Sequence, residues 1–270
     1  MNFSKYHGCG NDFIVINEHQ LIKKDYRELA KTVCHRHMGI GADGLIIVRE
    51  NPLEMIYYNS DGSVATMCGN GIRCFTHYCY DHGLISQREI EVITLAGIMQ
   101  VKIVKIEPFI CEVNFGKPNY STKALAMHVK QDVFLNEHLI ADNVPVKVSS
   151  VFIGTIHTVL FVNKLKNVNV EKIGKAICNH PYFTKKTNVN IVELINEHQM
   201  RLITYERGVG ITQACGSGAV ACALIANRYH LSDSNVEIDV GLDKLIVRIE
   251  DEQAILIGKS KCVFTGNIEE

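Results

Sequence analysis

The sequence predicts an α/β (α+β) fold of two pseudo-symmetric halves, each a set of strands wrapped around one buried helix. Three observations predict it. The chain has 270 residues, which at roughly 150 residues per domain suggests two domains or one large one. Segments 55–71 (MIYYNSDGSVATMCGNG) and 202–218 (LITYERGVGITQACGSG) align without a gap at a shift of 147 residues. The stretch from 217 to about 230 is apolar nearly all round, with four alanines among Val220, Leu224 and Ile225, which marks a helix buried inside a sheet.

The echo between the halves extends both ways. Tyr58 falls on Tyr205, Cys68 on Cys215, Gly69 on Gly216 and Gly71 on Gly218. Downstream, IEVITLAGIMQVKIV from Ile90 matches VEIDVGLDKLIVRIE from Val236 in apolar alternation. Upstream, LAKTVCHR from Leu29 resembles IGKAICNH from Ile173, and NDFIVIN from Asn11 faces HTVLFVN from His157. Four matches in one order indicate two related halves, 1–118 with a crossover to about 149, and 150–270, whose last residues can pack back on the first half.

The elements follow from periodicity. FIVI (13–16), GLIIVRE (44–50), MIYYN (55–59), IEVIT (90–94) and IMQVKIV (98–104) are short β-branched or alternating runs bounded by turn residues, hence strands. Asp25 to Arg36 carries Leu29, Ala30 and Val33 at helical spacing, with Asp25 as N-cap. Asn70 to His82 is a second helix, stopped by Gly83. The second half repeats the pattern, with helices at 170–180 and 217–230 and strands at 189–195 and 201–206.

Composition narrows the function. Hydrophobic residues are 47% and charged residues 21%, which excludes bulk disorder. A net charge of −1 without any long Lys/Arg run gives no nucleic-acid footprint. No stretch approaches the roughly 20 apolar residues of a membrane-spanning helix, and the N-terminus lacks a signal-peptide core, so a cytoplasmic location with no membrane partner is expected. Ten cysteines include no C-x-x-C pair, and the gaps among Cys68, Cys74 and Cys79 are loose for zinc. Free thiols, most of them small buried hydrophobes, are expected, and no metal. Gly39-Ile40-Gly41-Ala42-Asp43-Gly44 has the G-x-G-x-x-G spacing but follows a helix and enters a strand, the reverse of the dinucleotide context; it reads as a glycine turn.

Cys68-Gly69-Asn70-Gly71 and Cys215-Gly216-Ser217-Gly218 each feed the N-terminus of a buried helix. Free N–H groups and the positive helix end there bind an anion such as a carboxylate and lower a thiol's pKa. Alone, either cysteine could equally be structural. Two at equivalent places in related halves suggest two thiols facing one site across a cleft. Stereoinversion at carbon needs that arrangement: one group removes the α-proton and its partner supplies a proton to the opposite face.

These motifs, with His7-Gly8-Cys9-Gly10-Asn11-Asp12-Phe13, Asn59-Ser60-Asp61-Gly62-Ser63 and Tyr205-Glu206-Arg207-Gly208, resemble the signatures of the diaminopimelate epimerase family, along the chain from His7 to Gly266. The resemblance implies two similar domains, each a mostly antiparallel strand roll around a central helix, with the site in the cleft between them. It implies interconversion of LL- and meso-diaminopimelate in lysine and cell-wall precursor synthesis, without pyridoxal phosphate or any other cofactor, by a homodimer. Carried over by position, Cys68 and Cys215 are the acid/base thiols, and His157 and Glu206 tune them. Asn11, Asn59, Gly69, Asn70, Asn188, Glu206, Arg207, Gly216 and Ser217 contact substrate. Arg207 suits a carboxylate clamp because its fork binds bidentately. The chain departs from the family at Gly154-Thr155-Ile156-His157, where the family reads G-N-P-H; Thr155 stands in place of a substrate-contacting Asn. The alternatives are a racemase of a different amino acid with a distal pocket altered at Thr155, and a non-epimerase isomerase of the same superfamily, against which the retention of both cysteines argues.

Overall fold

The structure is a computed structural model that describes residues 1–21, 25–212 and 214–269. The chain divides into two compact units, Met1–Asn114 with Ile257–Glu270, and Phe115–Leu256.

The first unit runs β1 (Asn2–Gly8), β2 (Asn11–Asn17), α1 (Tyr26–Cys34), β3 (Gly44–Arg49), β4 (Glu54–Asn59), β5 (Val64–Ala65), α2 (Gly69–Asp81), β6 (Glu89–Thr94), β7 (Gly97–Lys105) and β8 (Ile110–Asn114). Neighbouring strands pair antiparallel except β2–β3 and β4–β6, which are parallel. Parallel neighbours need a crossover, and α1 and α2 supply the two. Strands β2 and β3 lie between α1 on one face and α2 on the other. Their cores, Phe13–Ile16 and Leu45–Val48, are wholly buried, which is why they read as continuous apolar runs rather than alternating ones. Helix α1 starts where the Asp25 side chain accepts from the Glu28 N–H at 3.3 Å. Helix α2 ends at Gly83, whose φ of +67° lets the Gly83 and Leu84 N–H groups cap Tyr80 and Cys79.

The second unit runs β9 (Glu137–Ala141), β10 (Val144–Ile153), β11 (Thr155–Val162), α3 (Val170–Cys178), β12 (Asn188–Asn196), β13 (Gln199–Glu206), β14 (Gly210–Thr212), α4 (Gly216–Arg228), β15 (Asn235–Asp239), β16 (Lys244–Glu250) and the start of β17 (Gln253–Lys259), a strand whose residues from Ile257 onward are counted in the first unit. Its pairings repeat those of the first unit strand for strand: β11–β12 and β13–β15 are the parallel pairs. Tyr58 faces Val64 across β4–β5 as Tyr205 faces Ile211 across β13–β14. The sequence repeat is thus a repeat of topology. Helix α4 packs against β10, β11, β12 and β16, and Gly218 to Ala226 are buried without a break. Its alanines allow strand backbones to approach on every side. The last strand, β18 (Lys261–Asn267), pairs antiparallel with β1.

The segment 119–149, read from sequence as a crossover of the first half, belongs to the second unit. Strands β9 and β10 form a hairpin whose turn residues Asp142 and Asn143 have φ of +50° and +62°, a two-residue turn with the twist a hairpin requires. Phe134 and Leu139 from this segment enter the second unit's core beside Ile177 and Val189.

Candidate active site

Cys68 and Cys215 occupy the same structural position in the two units. Each is the extended N-cap residue of its unit's buried helix, with φ, ψ of −139°, 124° and −117°, 107°. Each thiol thus stands at the positive end of a helix, where the dipole favours an anion; the Cys215 side chain accepts a cap hydrogen bond there, and the Cys68 side chain makes no cap hydrogen bond. The two thiols differ in their bonds. Cys215 Sγ accepts from the Gly218 N–H at 3.3 Å and lies 3.5 Å from Ser217 Oγ. Cys68 Sγ donates to Asn11 Oδ1 at 3.6 Å. Elsewhere burial works against ionisation: it pushes the thiols of Cys34 and Cys111 up to about 12, and those of Cys74 and Cys222 well above the ordinary value.

In the first unit, Cys68, Asn11, Gly69 and Asn70 form one polar group. Asn70 Nδ2 donates to Asn11 Oδ1 at 3.2 Å. Arg73, wholly buried, donates to Asn70 Oδ1 and to the Gly69 carbonyl, both at 2.8 Å, to the Lys259 carbonyl, and to Cys9 Sγ at 3.5 Å. On the other side Asn11 Nδ2 donates to Asp43 at 2.7 Å, and Asp43 is itself paired with Arg36 at 2.7 Å. Asn59 sits at the end of β4 opposite Gly44; its side chain donates to Ser63 Oγ and accepts from the Tyr57 hydroxyl, both at 2.9 Å.

In the second unit, His157 and Asn188 are register partners in the parallel pair β11–β12, and the backbone N–H of Arg207 donates to Asn188 Oδ1 at 3.0 Å. Glu206 Oε1 accepts from Thr212 across the E-R-G-x-G turn, where Gly208 and Gly210 hold φ of +82° and +99°. The Arg207 guanidinium is anchored on the Lys185 carbonyl and on Thr155 Oγ1, each at 3.2 Å. Thr155 thus supports Arg207 directly.

The proton of His157 can be assigned. Asn190 Oδ1 accepts from Thr204 Oγ1, so its Nδ2 faces the Thr158 carbonyl and His157 Nδ1, at 3.3 and 3.1 Å. An amide nitrogen only donates, so Nδ1 accepts. The neutral ring then carries its hydrogen on Nε2, which is buried and has no hydrogen-bond partner among the described residues. Burial, then the charge of Arg207, push the imidazole down to about 3 and keep it neutral. His157 is therefore a neutral ring whose Nε2–H has no acceptor among the described residues.

Sequence reading missed Arg73, Asp43 and Asn190. Arg73 lies three residues after Asn70, the spacing at which helical side chains meet, and that was its available signal. Asp43 was hidden inside a turn read for its glycines. Asn190 follows Asn188 by two, which puts both on one face of β12. Among the described residues no group of three or more His, Cys, Asp or Glu side chains is arranged to hold a metal ion.

Comparison with known proteins resolves the family. The profile described as "Diaminopimelate epimerase" matches residues 3–121 and 149–263, both sides of the repeat. The chain belongs to the diaminopimelate epimerase family. A diaminopimelate epimerase of Alkaliphilus metalliredigens is 40% identical over 98% of this chain and 96% of its own length. One from Caldanaerobacter subterraneus subsp. tengcongensis is 37% identical over the whole of both. In fold, the family member resembles a PhzF-family phenazine biosynthesis protein of Bacillus anthracis (TM-score 0.71, 14% identity, 100% and 99% of the two chains). It also resembles a probable proline racemase of Agrobacterium radiobacter K84 (TM-score 0.72, 10% identity, 99% and 92%). The fold expected from the sequence, two α+β halves each with a central helix, is the fold found.

Proposed function

We propose that this isomerase interconverts LL- and meso-diaminopimelate in lysine and peptidoglycan precursor synthesis by a two-thiol, cofactor-independent mechanism. One observation carries the reading: Cys68 and Cys215 are both N-caps of the central helix in topologically repeated units, within a chain of this family. One cysteine, as thiolate, removes the α-proton, and the other, as thiol, protonates the opposite face of the carbanion. Negative charge developing on the α-carboxylate is met by the N–H groups of Gly69-Asn70 and Gly216-Ser217 at the helix ends. The Nε2–H of His157 and the carboxylate of Glu206 tune the thiols in opposite senses, the first favouring a thiolate and the second a thiol. Arg207, with Asn11, Asn59 and Asn188, holds the substrate, and its fork suits a carboxylate.

The experiment is α-proton exchange in deuterated water, followed by NMR, with LL-diaminopimelate and with a panel of other L-amino acids. Exchange is expected with diaminopimelate, and Cys68→Ala and Cys215→Ala should each lower epimerisation by at least about 100- to 10,000-fold. Preference for an amino acid without a distal carboxylate would transfer the assignment to a different racemase. Full activity of either alanine variant would end the two-thiol mechanism. By the same family resemblance the enzyme acts on a free amino acid as a homodimer, and the mass of a single chain by light scattering would refute the dimer.

A further inference from the structure

The amides around Cys68 have only one orientation open to them. Arg73 can only donate, so Asn70 must turn its Oδ1 toward it, at 2.8 Å. That leaves Asn70 Nδ2 to donate to Asn11, at 3.2 Å. At the other end the Asp43 carboxylate can only accept, so Asn11 must turn its Nδ2 there, at 2.7 Å, and its Oδ1 toward Asn70 and Cys68. Arg36 holds Asp43 in place. The relay Arg36–Asp43–Asn11–Asn70–Arg73 is thus anchored by a donor-only group at each end, and Asn11 Oδ1 within it lies 3.6 Å from Cys68 Sγ. An oxygen there can take a hydrogen bond from a thiol and offers nothing to a thiolate. Cys215 has the opposite partner, the Gly218 N–H, which favours a thiolate.

We propose that Asp43 and Arg73 are positioning residues which lock the Asn11 amide so that Cys68 keeps its proton at rest, leaving Cys215 as the resting base. The inference rests on the two-thiol reading and gives it a starting state: the resting enzyme takes the isomer whose α-hydrogen faces Cys215. Among the described residues, the charged and titratable groups of this relay and its neighbours include Lys5 of β1, Asp12 of β2, Arg36 after α1, Asp43 of the glycine turn, Cys9 of the β1–β2 turn, and Arg73 and Cys74 of α2. Lys5 and Arg36 pair with Asp12 at 2.9 and 3.0 Å. The charge of Arg73 acts against retention of the proton, but it is common to the wild type and to the variants below, so it cancels in their comparison.

The test is the pH profile of brief iodoacetamide alkylation, with Cys68 and Cys215 read separately by peptide mass spectrometry in the full chain. In the wild type Cys215 should react with a lower midpoint than Cys68. Asn11→Ala removes the acceptor without changing charge. Asp43→Asn lets the Asn11 amide turn over and present Nδ2 to the sulfur. Both should lower the Cys68 midpoint by about one pH unit, roughly tenfold more thiolate at a given pH, and leave Cys215 in place. A wild-type Cys68 midpoint at or below that of Cys215, or an unmoved one in Asn11→Ala, overturns the proposal. A shift in Asn11→Ala with none in Asp43→Asn overturns the anchoring role of Asp43. A merely structural role for either residue predicts no selective shift of Cys68. The midpoints need no turnover, so a protein that keeps this thiol order yet exchanges no α-proton would refute the functional reading alone.

Discussion

Gly71 and Gly218 are equivalent in the repeat, each the third residue of its central helix, yet alanine should be tolerated at one and not at the other. A Cβ at Gly218 would lie 2.3 Å from Asn190 Oδ1 and 3.2 Å from both Cys215 Cβ and Thr204 Oγ1. The amide cannot withdraw freely, because Thr204, His157 and Thr158 hold it from three sides. Overpacking costs about 1–3 kcal/mol, and a disrupted buried hydrogen bond about 1–3 kcal/mol more. Replacing glycine inside a helix returns about 1 kcal/mol, leaving a net loss of about 3 kcal/mol. At Gly71 the nearest atoms are Cys68 Cβ at 3.3 Å, Ile46 Cδ1 at 3.5 Å and Phe13 Cζ at 3.6 Å, which need a shift of only a few tenths of an ångström. The helix gain there offsets the crowding to within about 1 kcal/mol. At about 2–4 °C per kcal/mol, Gly218→Ala should melt roughly 6–12 °C below wild type and Gly71→Ala within about 4 °C of it. Calorimetry on both variants checks this. The reasoning fails if Gly218→Ala melts with the wild type, or if Gly71→Ala is the less stable of the two.

Three further outcomes follow from the same geometry. Thr155→Val keeps shape but removes the acceptor of Arg207 Nη2, so KM for diaminopimelate should rise about 2- to 10-fold with little change in kcat; an unchanged KM in steady-state assays would remove Thr155 from substrate recognition. His157 is held neutral down to about 3 when folded but takes a proton near 6.5 when unfolded, so the unfolded state binds more protons between those values and stability falls as pH drops through that window. The loss should approach about 1.4 kcal/mol per pH unit, and urea unfolding of His157→Gln should show a flatter slope than wild type; parallel slopes would contradict the assignment. Burial pushes the thiols of Cys74, Cys111 and Cys222 far up, so native protein at about pH 9 should leave them unalkylated while Cys215 reacts, and modification of any of the three before global unfolding would show that their packing is misread.

What the chain settles by itself is local and periodic. Two runs of buried β-branched residues mark β2 and β3, an Asp and a Gly mark where α1 begins and α2 ends, and all-round apolarity marks α4 as a central helix. The repeat of 147 residues doubles each of these inferences and puts Cys68 and Cys215 in equivalent places before any coordinate is known. The hairpin of β9 and β10 escaped because its turn is Asp142-Asn143, without the glycine that usually announces positive φ. The placement of segment 119–149 escaped for a different reason: it depends on which core receives Phe134 and Leu139, and apolarity does not name a partner. The same limit governs the site. That Asn11 turns its oxygen to Cys68 and that His157 carries its proton on Nε2 depend mainly on hydrogen bonds between residues some 30 to 60 positions apart, with shorter steps from Arg73 to Asn70 and from Thr204 to Asn190. Periodicity reports which face of an element is buried. Donor and acceptor directions exist only once those distant elements are packed, because an amide or an imidazole takes its orientation from the partner opposite it.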